Sequence, residues 1–110
     1  MVYSPHNIEQ IAHFKEKLGN DRIIAISIWK VPNDKDRPHG YKYRLHYGYL
    51  DGACIIRYDN EKGKGDHRHF ADVEEPYVFV TLWKLLNDFE SDVLNHRKEQ
   101  RKWAKGSKKY

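Results

Sequence analysis

Apolar and polar positions alternate through the middle of the chain with the period of two that is typical of β-strands. In residues 41–50, tyrosines and a leucine occupy one set of alternate positions, and basic side chains occupy most of the other. Residues 22–31 are rich in isoleucine, which strands favour. Asp51-Gly52 is a tight-turn dipeptide that leads into residues 53–58, so the pattern predicts an antiparallel hairpin.

Two other segments have the apolar spacing of amphipathic helices. Ser4-Pro5 is typical of a helix start, and apolar residues follow helical spacing from there as far as Leu18. Thr81 can cap a second helix, in which apolar residues recur along one stripe up to Val93. A short fourth strand is added if residues 67–70 are extended. The predicted fold class is α+β, with an antiparallel sheet of three to four strands, an N-terminal helix and a C-terminal helix.

The length of 110 residues fits one small domain, predicted to span residues 1–110. The apolar runs are far shorter than the ~20 residues that a membrane-spanning helix needs. The first residues lack the basic and apolar regions of a secretory signal. A single cysteine, Cys54, cannot form a disulfide within the chain. These features predict a cytosolic protein without a membrane segment.

The formal net charge of +4 is concentrated at the C-terminal end. Residues 97–110, with Arg101 and Lys102 among them, contain seven basic residues and one glutamate. Residues 1–96 contain 13 basic and 15 acidic residues. Such an asymmetry attracts nucleic acid or an acidic protein. A solvated helix end followed by a frayed tail explains the same charges without a partner.

Residues 58–69 combine chemical groups that a structural loop does not require. The segment holds two histidines, an arginine, two lysines, two glycines and several acidic residues, with almost nothing apolar to bury. Within it, Lys62-Gly63-Lys64-Gly65 offers flexible backbone N–H groups beside two cations, which suits a phosphate group. This run matches neither the P-loop nor the dinucleotide-binding pattern.

The histidine pair in this segment predicts a metal-independent cleavage of RNA. In an extended segment, His67 and His69 point to one face and Arg68 points to the other. Histidine has an unperturbed pKa of ~6.5, so one ring can act as general base and the other as general acid. RNA supplies the 2′-hydroxyl nucleophile, and a cation such as Arg68 or Lys64 stabilises the phosphorane.

Two other interpretations explain the same pair. His67, His69 and Asp66 can chelate a metal ion, but the sequence has no second ligand cluster of matching spacing, so no metal site is predicted. Alternatively, the segment is a charged surface hairpin in which Asp66 caps a turn and the histidines are merely exposed. His46 can reach the same surface from its own strand, although a histidine there is more often without a catalytic role.

Several segments of the chain together resemble one known protein family. They are the run from Tyr58 to His69, Glu75-Pro76-Tyr77-Val78-Phe79, the run from Leu85 to Val93, Trp29-Lys30-Val31-Pro32 and Tyr41-Lys42-Tyr43. In these segments the chain resembles the TumE-type toxins of bacterial and archaeal toxin–antitoxin pairs. The resemblance covers about residues 22–95 and leaves out a basic C-terminal extension, residues 96–110.

The resemblance implies a small cytosolic toxin that is neutralised by a cognate helix-turn-helix antitoxin, with the pair regulating its own promoter. The small α+β plan is also similar to that of RelE-like ribosome-dependent RNases, which makes the ribosome a candidate partner beside RNA. A homodimer and a toxin–antitoxin hetero-oligomer are both compatible with it.

The favoured function is therefore that of a toxin acting as an endoribonuclease without metal or cofactor. His67 and His69 provide acid–base catalysis, and Arg68 or Lys64 stabilises the phosphorane. The residues predicted to bind RNA are Tyr58, Lys62, Asp66, Arg57, Arg44, Arg101 and Lys102. The main alternative is a non-catalytic module that binds nucleic acid or a partner through its basic C-terminal helix, and the third is a metal-dependent nuclease.

Overall fold

The computed structural model describes residues 7–61 and 63–107, without the side chains of residues 102–107. Within these residues, the strands are β1 (Glu9–Leu18), β2 (Arg22–Lys30), β3 (Tyr41–Tyr49), β4 (Cys54–Asp59), β5 (His67–Phe70) and β6 (Val73–Pro76), and the helix is α1 (Leu82–Ser107). The sheet lies in one compact unit, residues 1–79, and the helix in another, residues 80–110. The α+β class is confirmed.

All six described strands form one sheet, in which each strand pairs antiparallel with the next strand in the chain. This meander needs only local connections between neighbouring strands. Between β3 and β4, the turn at Asp51-Gly52 uses a positive φ of 99° at Gly52, which a side chain would disfavour. The predicted hairpin is therefore confirmed by β3 and β4.

The predicted N-terminal helix is wrong, because residues 9–18 form strand β1. β1 pairs with β2 along its length, with a register shift between Gln10 and Ala12. Such an irregularity breaks the strict period of two, which explains the helix-like apolar spacing in the sequence. Pairing also satisfies backbone groups of the isoleucine-rich β2, which outweighs a weak local helix preference. Ser4-Pro5, the predicted helix start, lies outside the described residues.

The sheet also has more strands than the three to four predicted. Besides β1, the addition is β6, whose residues are all exposed. Two glutamates and a proline in four residues weaken a strand pattern in the sequence, but the edge of a sheet tolerates them. Ala71, at a φ of 54°, helps to form the tight turn into β6. The conditional strand over residues 67–70 is confirmed as β5.

The register divides the side chains of the sheet between two faces. On one face, which we call the apolar face, Tyr47 lies beside Ile56 and Leu45 lies beside Tyr58, and all four are fully buried. The opposite face carries the alternate positions of the same strands, and we call it the polar face. In β3 and β4 these positions are Arg44, His46, Arg57 and Asp59.

Helix α1 confirms the predicted C-terminal helix. The Lys84 backbone N–H donates a hydrogen bond of 3.0 Å to the Thr81 hydroxyl oxygen, which caps the first turn. Leu85, Phe89 and Val93 lie on one stripe of the helix and are buried. Within the part of the chain that the structure describes, no helix is long and apolar enough to cross a lipid bilayer.

Candidate functional site

The polar face brings together charged and titratable residues from four neighbouring strands. Opposed side chains in a sheet lie about 4.5–5.5 Å apart at their Cβ atoms, so residues that pair across strands contact each other. One row across the strands is Arg44, Asp59 and His67, and the next is His46, Arg57, His69 and Glu74. We call these seven residues the polar cluster.

Asp59 occupies the centre of the polar cluster and is only 4% exposed. Its Oδ2 atom is 3.0 Å from Arg57 Nε, and its Oδ1 atom contacts His67 Nε2. Among the described residues, neither Arg57 Nε nor Asp59 Oδ1 makes a well-directed hydrogen bond. Charge therefore holds the carboxylate in place, and Oδ1 retains unused capacity to accept a hydrogen bond or bind a cation.

His67 is buried and fixed in orientation. Its Nδ1 atom lies 3.1 Å from the carbonyl oxygen of Gly65, while Nε2 faces Asp59. Because a carbonyl group can only accept, Nδ1 carries a proton and donates the hydrogen bond. Both ring nitrogens of His67 are thus engaged, which suits a residue that positions its neighbours.

His69 is more accessible, since 19% of its side chain is exposed. Arg57 Nη2–H donates a hydrogen bond of 3.0 Å to His69 Nε2. Glu74 Oε1 lies 3.5 Å from the same nitrogen and 3.4 Å from His67 Nε2. A guanidinium and a carboxylate thus stand beside one ring nitrogen of His69, an arrangement that suits proton transfer near a phosphate group.

His46 lies on the other side of Arg57. Burial lowers the pKa of His46, and the positive charges of Arg44, Arg57 and Lys15 lower it further. Its Nδ1 atom is buried and has no hydrogen-bond partner among the described residues. The lowered pKa favours the neutral form of the His46 imidazole, which is the form that a general base requires.

Gly48 provides the space that His46 occupies. A Cβ atom at Gly48 would overlap the Ala53 carbonyl oxygen and would lie 2.8 Å from His46 Nε2. This position adjoins the register shift between β3 and β4, where irregular pairing brings backbone atoms close together. Both the hairpin and the position of the His46 ring therefore require a glycine here.

A groove of about 660 Å³ extends from the polar cluster towards β1. Besides Arg44 and His46, its polar lining residues include His13, Lys15 and Ser27. The sequence predicted a helix where β1 lies, so His13 and Lys15 could not be placed beside this surface in advance. Basic and hydroxyl side chains in a groove suit a phosphate backbone.

Two predicted site residues, Arg68 and Tyr58, lie on the apolar face. Arg68 Nη2 contacts the Glu75 carboxylate, and Arg68 Nη1 is 3.5 Å from the Tyr58 hydroxyl oxygen. Tyr58 is fully buried and packs edge-on against Tyr77, with ring centroids 5.0 Å apart. The alternation along β5 thus directs Arg68 away from the polar cluster, whose guanidinium groups come from β3 and β4.

A third predicted site residue, Asp66, belongs to a separate set of hydrogen bonds, which we call the Asp66 network. Its carboxylate accepts a hydrogen bond of 2.6 Å from the Tyr43 hydroxyl group and lies 2.9 Å from His39 Nε2. His39 Nδ1 accepts from the Tyr41 backbone N–H, so Nε2 carries the proton and donates to Asp66. The His39 ring stacks on Phe79 with centroids 3.9 Å apart. Burial, followed by the hydrogen bond to Asp66, raises the pKa of Tyr43.

The other basic residues that the sequence predicted for the site are exposed at the surface or lie outside the described part of the chain. Lys64 is exposed in the loop between β4 and β5, with its Nζ atom 3.9 Å from a Glu61 oxygen. Lys62 is outside the described residues. Arg101 is exposed on α1, and the side chain of Lys102 is outside the description.

Asp59 and Glu74 are members of the polar cluster that were not among the site residues predicted from the sequence. Alternation along β4 could have placed Asp59 on the face of Arg57, but its contact with His67 depends on the register between β4 and β5. Ligand atoms of Asp59, His67 and His69 all lie within 4.8 Å of one another, close enough to share one metal ion. The polar cluster can therefore transfer protons, bind a phosphate or hold a cation.

The chain matches one family model, described as Toxin TumE, over residues 3–97. The matched range includes all six strands, the whole polar cluster and the first part of α1. Searches of curated proteins and of solved structures gave no match.

Proposed function

Because the chain belongs to the family of the toxin TumE, we propose that it is the toxin of a toxin–antitoxin pair and acts as a metal-independent endoribonuclease. The observation that carries this proposal is the row of His46, Arg57 and His69 on the polar face. Two imidazoles on either side of a guanidinium can move protons while the guanidinium stabilises a phosphoryl group.

In the proposed reaction, His46 removes the proton from a ribose 2′-hydroxyl group. The 2′-oxygen attacks the adjacent phosphorus, the bond to the 5′-oxygen of the next nucleotide breaks, and His69 protonates that leaving oxygen. The products are a 2′,3′-cyclic phosphate and a 5′-hydroxyl end. His46 suits the role of base because burial and its cationic neighbours lower its pKa.

We assign the role of acid to His69 because its partly exposed ring lies on the other side of Arg57 from His46, with Glu74 Oε1 3.5 Å from its Nε2. Arg57 now donates to this nitrogen. A phosphate that enters the cluster offers Arg57 a stronger, charged acceptor, which frees His69 Nε2 to carry a proton. Asp59 remains beside Arg57 Nε and keeps the guanidinium oriented.

The other groups position the RNA and the catalytic side chains. His67 holds Asp59, while Arg44 and the groove beside it bind phosphates next to the scissile one. Charge attracts RNA from a distance through Lys62, Lys64, Arg101 and Lys102. In this proposal Arg68, Tyr58 and Asp66 serve the fold, because their contacts lie outside the polar cluster.

The partners in this proposal are an antitoxin, RNA and the ribosome. A toxin family implies an antitoxin in general, and the resemblance in the sequence implies one with a helix-turn-helix. Purification of the pair from its native operon tests this, since a copurifying protein without a helix-turn-helix would contradict it. Sedimentation of the free toxin and of the pair separates a homodimer from a hetero-oligomer.

The catalytic proposal is tested with His46→Ala and His69→Ala. Each substitution is expected to slow RNA cleavage about 10²–10⁴-fold, which is the usual contribution of a general acid or base, and to relieve growth inhibition. Arg68→Ala changes the neighbouring residue of β5 on the opposite face and is expected to retain cleavage. The products are analysed for 2′,3′-cyclic phosphate ends.

Full cleavage by both histidine variants would overturn the assignment. Loss of cleavage in Arg68→Ala, with retention in His69→Ala, would instead place the chemistry on the apolar face. Circular dichroism of each variant separates a lost catalytic group from a lost fold.

A further inference from the structure

The imidazoles and carboxylates of the polar cluster also have the arrangement of a metal site. We propose that Asp59, His67, His69 and Glu74 bind a divalent cation of the zinc class, and that the metal-bound protein is the inactive form of the nuclease. The inactivation rests on the proposed function, whereas the binding does not.

The donor atoms suit zinc in kind and in charge. Two imidazole nitrogens and two carboxylates are ligands that zinc commonly takes, and the two carboxylates match its double positive charge. The ligand atoms of Asp59, His67 and His69 lie within 4.8 Å of one another. Asp59 and His67 are more than nine-tenths buried, and Asp59 Oδ1 makes no well-directed hydrogen bond among the described residues.

The distances to Glu74 suit a tetrahedral site. Zinc–ligand bonds of about 2.0–2.1 Å place neighbouring ligand atoms about 3.3–3.4 Å apart in a tetrahedron. Glu74 Oε1 lies 3.4 Å from His67 Nε2 and 3.5 Å from His69 Nε2. Two edges of such a tetrahedron are therefore present. Asp59 Oδ1 contacts His67 Nε2 directly, so the carboxylate must move away from the ring to share the cation.

The cation competes with Arg57 for His69. Arg57 Nη2–H donates to His69 Nε2 over 3.0 Å, and this nitrogen has only one lone pair. Metal binding therefore displaces the guanidinium from His69 and removes the lone pair that must carry the proton in RNA cleavage. Arg57 and zinc are alternative cations beside His69, which is why the metal-bound form cannot act as the proposed nuclease.

Zinc binding is measured on the full chain after chelation and removal of the chelator. Calorimetry is expected to detect one site for Zn²⁺, and Co²⁺ at the same site is expected to give the intense visible absorption of four-coordinate cobalt. Glu74→Gln should weaken the zinc affinity by about 10–100-fold, a range seen even when a supporting group is lost. Glu75→Gln is the matched control, because the adjacent carboxylate pairs with Arg68 on the opposite face.

RNA cleavage is measured in the same samples with Zn²⁺ and after chelation. The expected result is cleavage by the metal-free protein that falls in proportion to bound zinc and returns with chelator. Equal zinc affinity in the parent and in Glu74→Gln would overturn the site. Cleavage that zinc stimulates or leaves unchanged would overturn the inactivation. Zinc binding that Glu74→Gln weakens, in a protein that cleaves no RNA with or without metal, supports the site while refuting the nuclease.

Discussion

Two pairs of aspartate and histidine stand in or beside the sheet, and they differ in how completely their hydrogen bonds are made. In the Asp66 network, His39 accepts with one ring nitrogen and donates with the other, and Asp66 also accepts from Tyr43. In the polar cluster, Asp59 contacts His67, but its Oδ1 atom makes no well-directed hydrogen bond among the described residues.

The difference separates a structural network from one that is available to a ligand. Buried polar groups are normally satisfied, so a complete network stabilises the fold and an incomplete one requires another explanation. His69 and Arg57 add to this contrast, because their mutual hydrogen bond is one that a phosphate or a cation can replace. Three substitutions and one truncation test this difference between the two networks.

Of these four changes, Arg57→Ala is expected to have the largest effect, because it removes the guanidinium from the polar cluster. RNA cleavage should fall about 10²–10³-fold, which is typical for the loss of a group that stabilises transition-state charge. Arg57→Lys should recover only part of the rate, because an ammonium group cannot reach Asp59 and a phosphate in the same forked geometry. Single-turnover cleavage of a short RNA measures both, and an unchanged rate in Arg57→Ala would remove this residue from the mechanism.

Asp66→Ala should act on stability and leave cleavage intact. The substitution leaves the His39 N–H and the Tyr43 hydroxyl group without their acceptor, at a cost of about 1–3 kcal/mol each in the free energy of unfolding. Urea denaturation measures this loss, and His69→Ala, which removes a partly exposed ring, should cost less. A stable Asp66→Ala protein that no longer cleaves RNA would contradict this expectation and support the RNA-binding role that the sequence predicted for Asp66.

Truncation after His96 removes charge that belongs to neither network. It deletes seven basic residues and keeps the sheet and the buried stripe of α1 up to Val93. RNA affinity at low salt should fall about tenfold and depend less steeply on salt, while the cleavage rate at saturating RNA stays unchanged. If the full-length protein is toxic without cleaving RNA and the truncation abolishes that toxicity, the non-catalytic binding module is favoured instead.

The smallest effect is expected in the pH dependence of Lys15→Gln. The proposed reaction requires neutral His46, so the cleavage rate should fall as the pH drops through a pKa below the ordinary ~6.5. Removing the positive charge of Lys15 weakens the smallest cause of that lowering, so the acid limb of kcat/KM should move slightly to higher pH. An acid limb that stays in place or moves to lower pH would show that the charge of Lys15 does not lower the pKa of the catalytic base.

The same lowered pKa affects folding. The folded protein binds a proton at His46 less readily than the unfolded chain does. Above the unfolded pKa of ~6.5, His46 therefore does not reduce the free energy of unfolding. Below that pH the unfolded chain takes up the proton first, and stability decreases.

Local periodicity was sufficient to predict the parts of the site that one strand contains. Alternation placed Arg44 and His46 on one side of β3, and placed His67 and His69 together on β5 with Arg68 opposite. The Asp51-Gly52 turn also fixed the pairing that brings His46 towards β4. These features depend only on neighbours in the chain, which a sequence states directly.

Contacts between distant segments could not be predicted from local periodicity. The bond between Arg57 and His69 depends on the register of two strands across a loop, and His39 meets Asp66 from 27 residues away. The edge strands β1 and β6 were missed because pairing with a neighbour, and not local preference, makes them strands. The groove beside His46 was missed with β1.

Gly48 gives the molecule a vulnerable position that carries no chemical group of its own. Any larger residue there meets the Ala53 carbonyl oxygen on one side and the His46 ring on the other. In a saturation screen for loss of toxicity, codon 48 should therefore rank with the codons of the proposed acid and base. Every single-nucleotide change that replaces this glycine puts a side chain where only a hydrogen atom fits, so loss of toxicity does not require a change in any catalytic group.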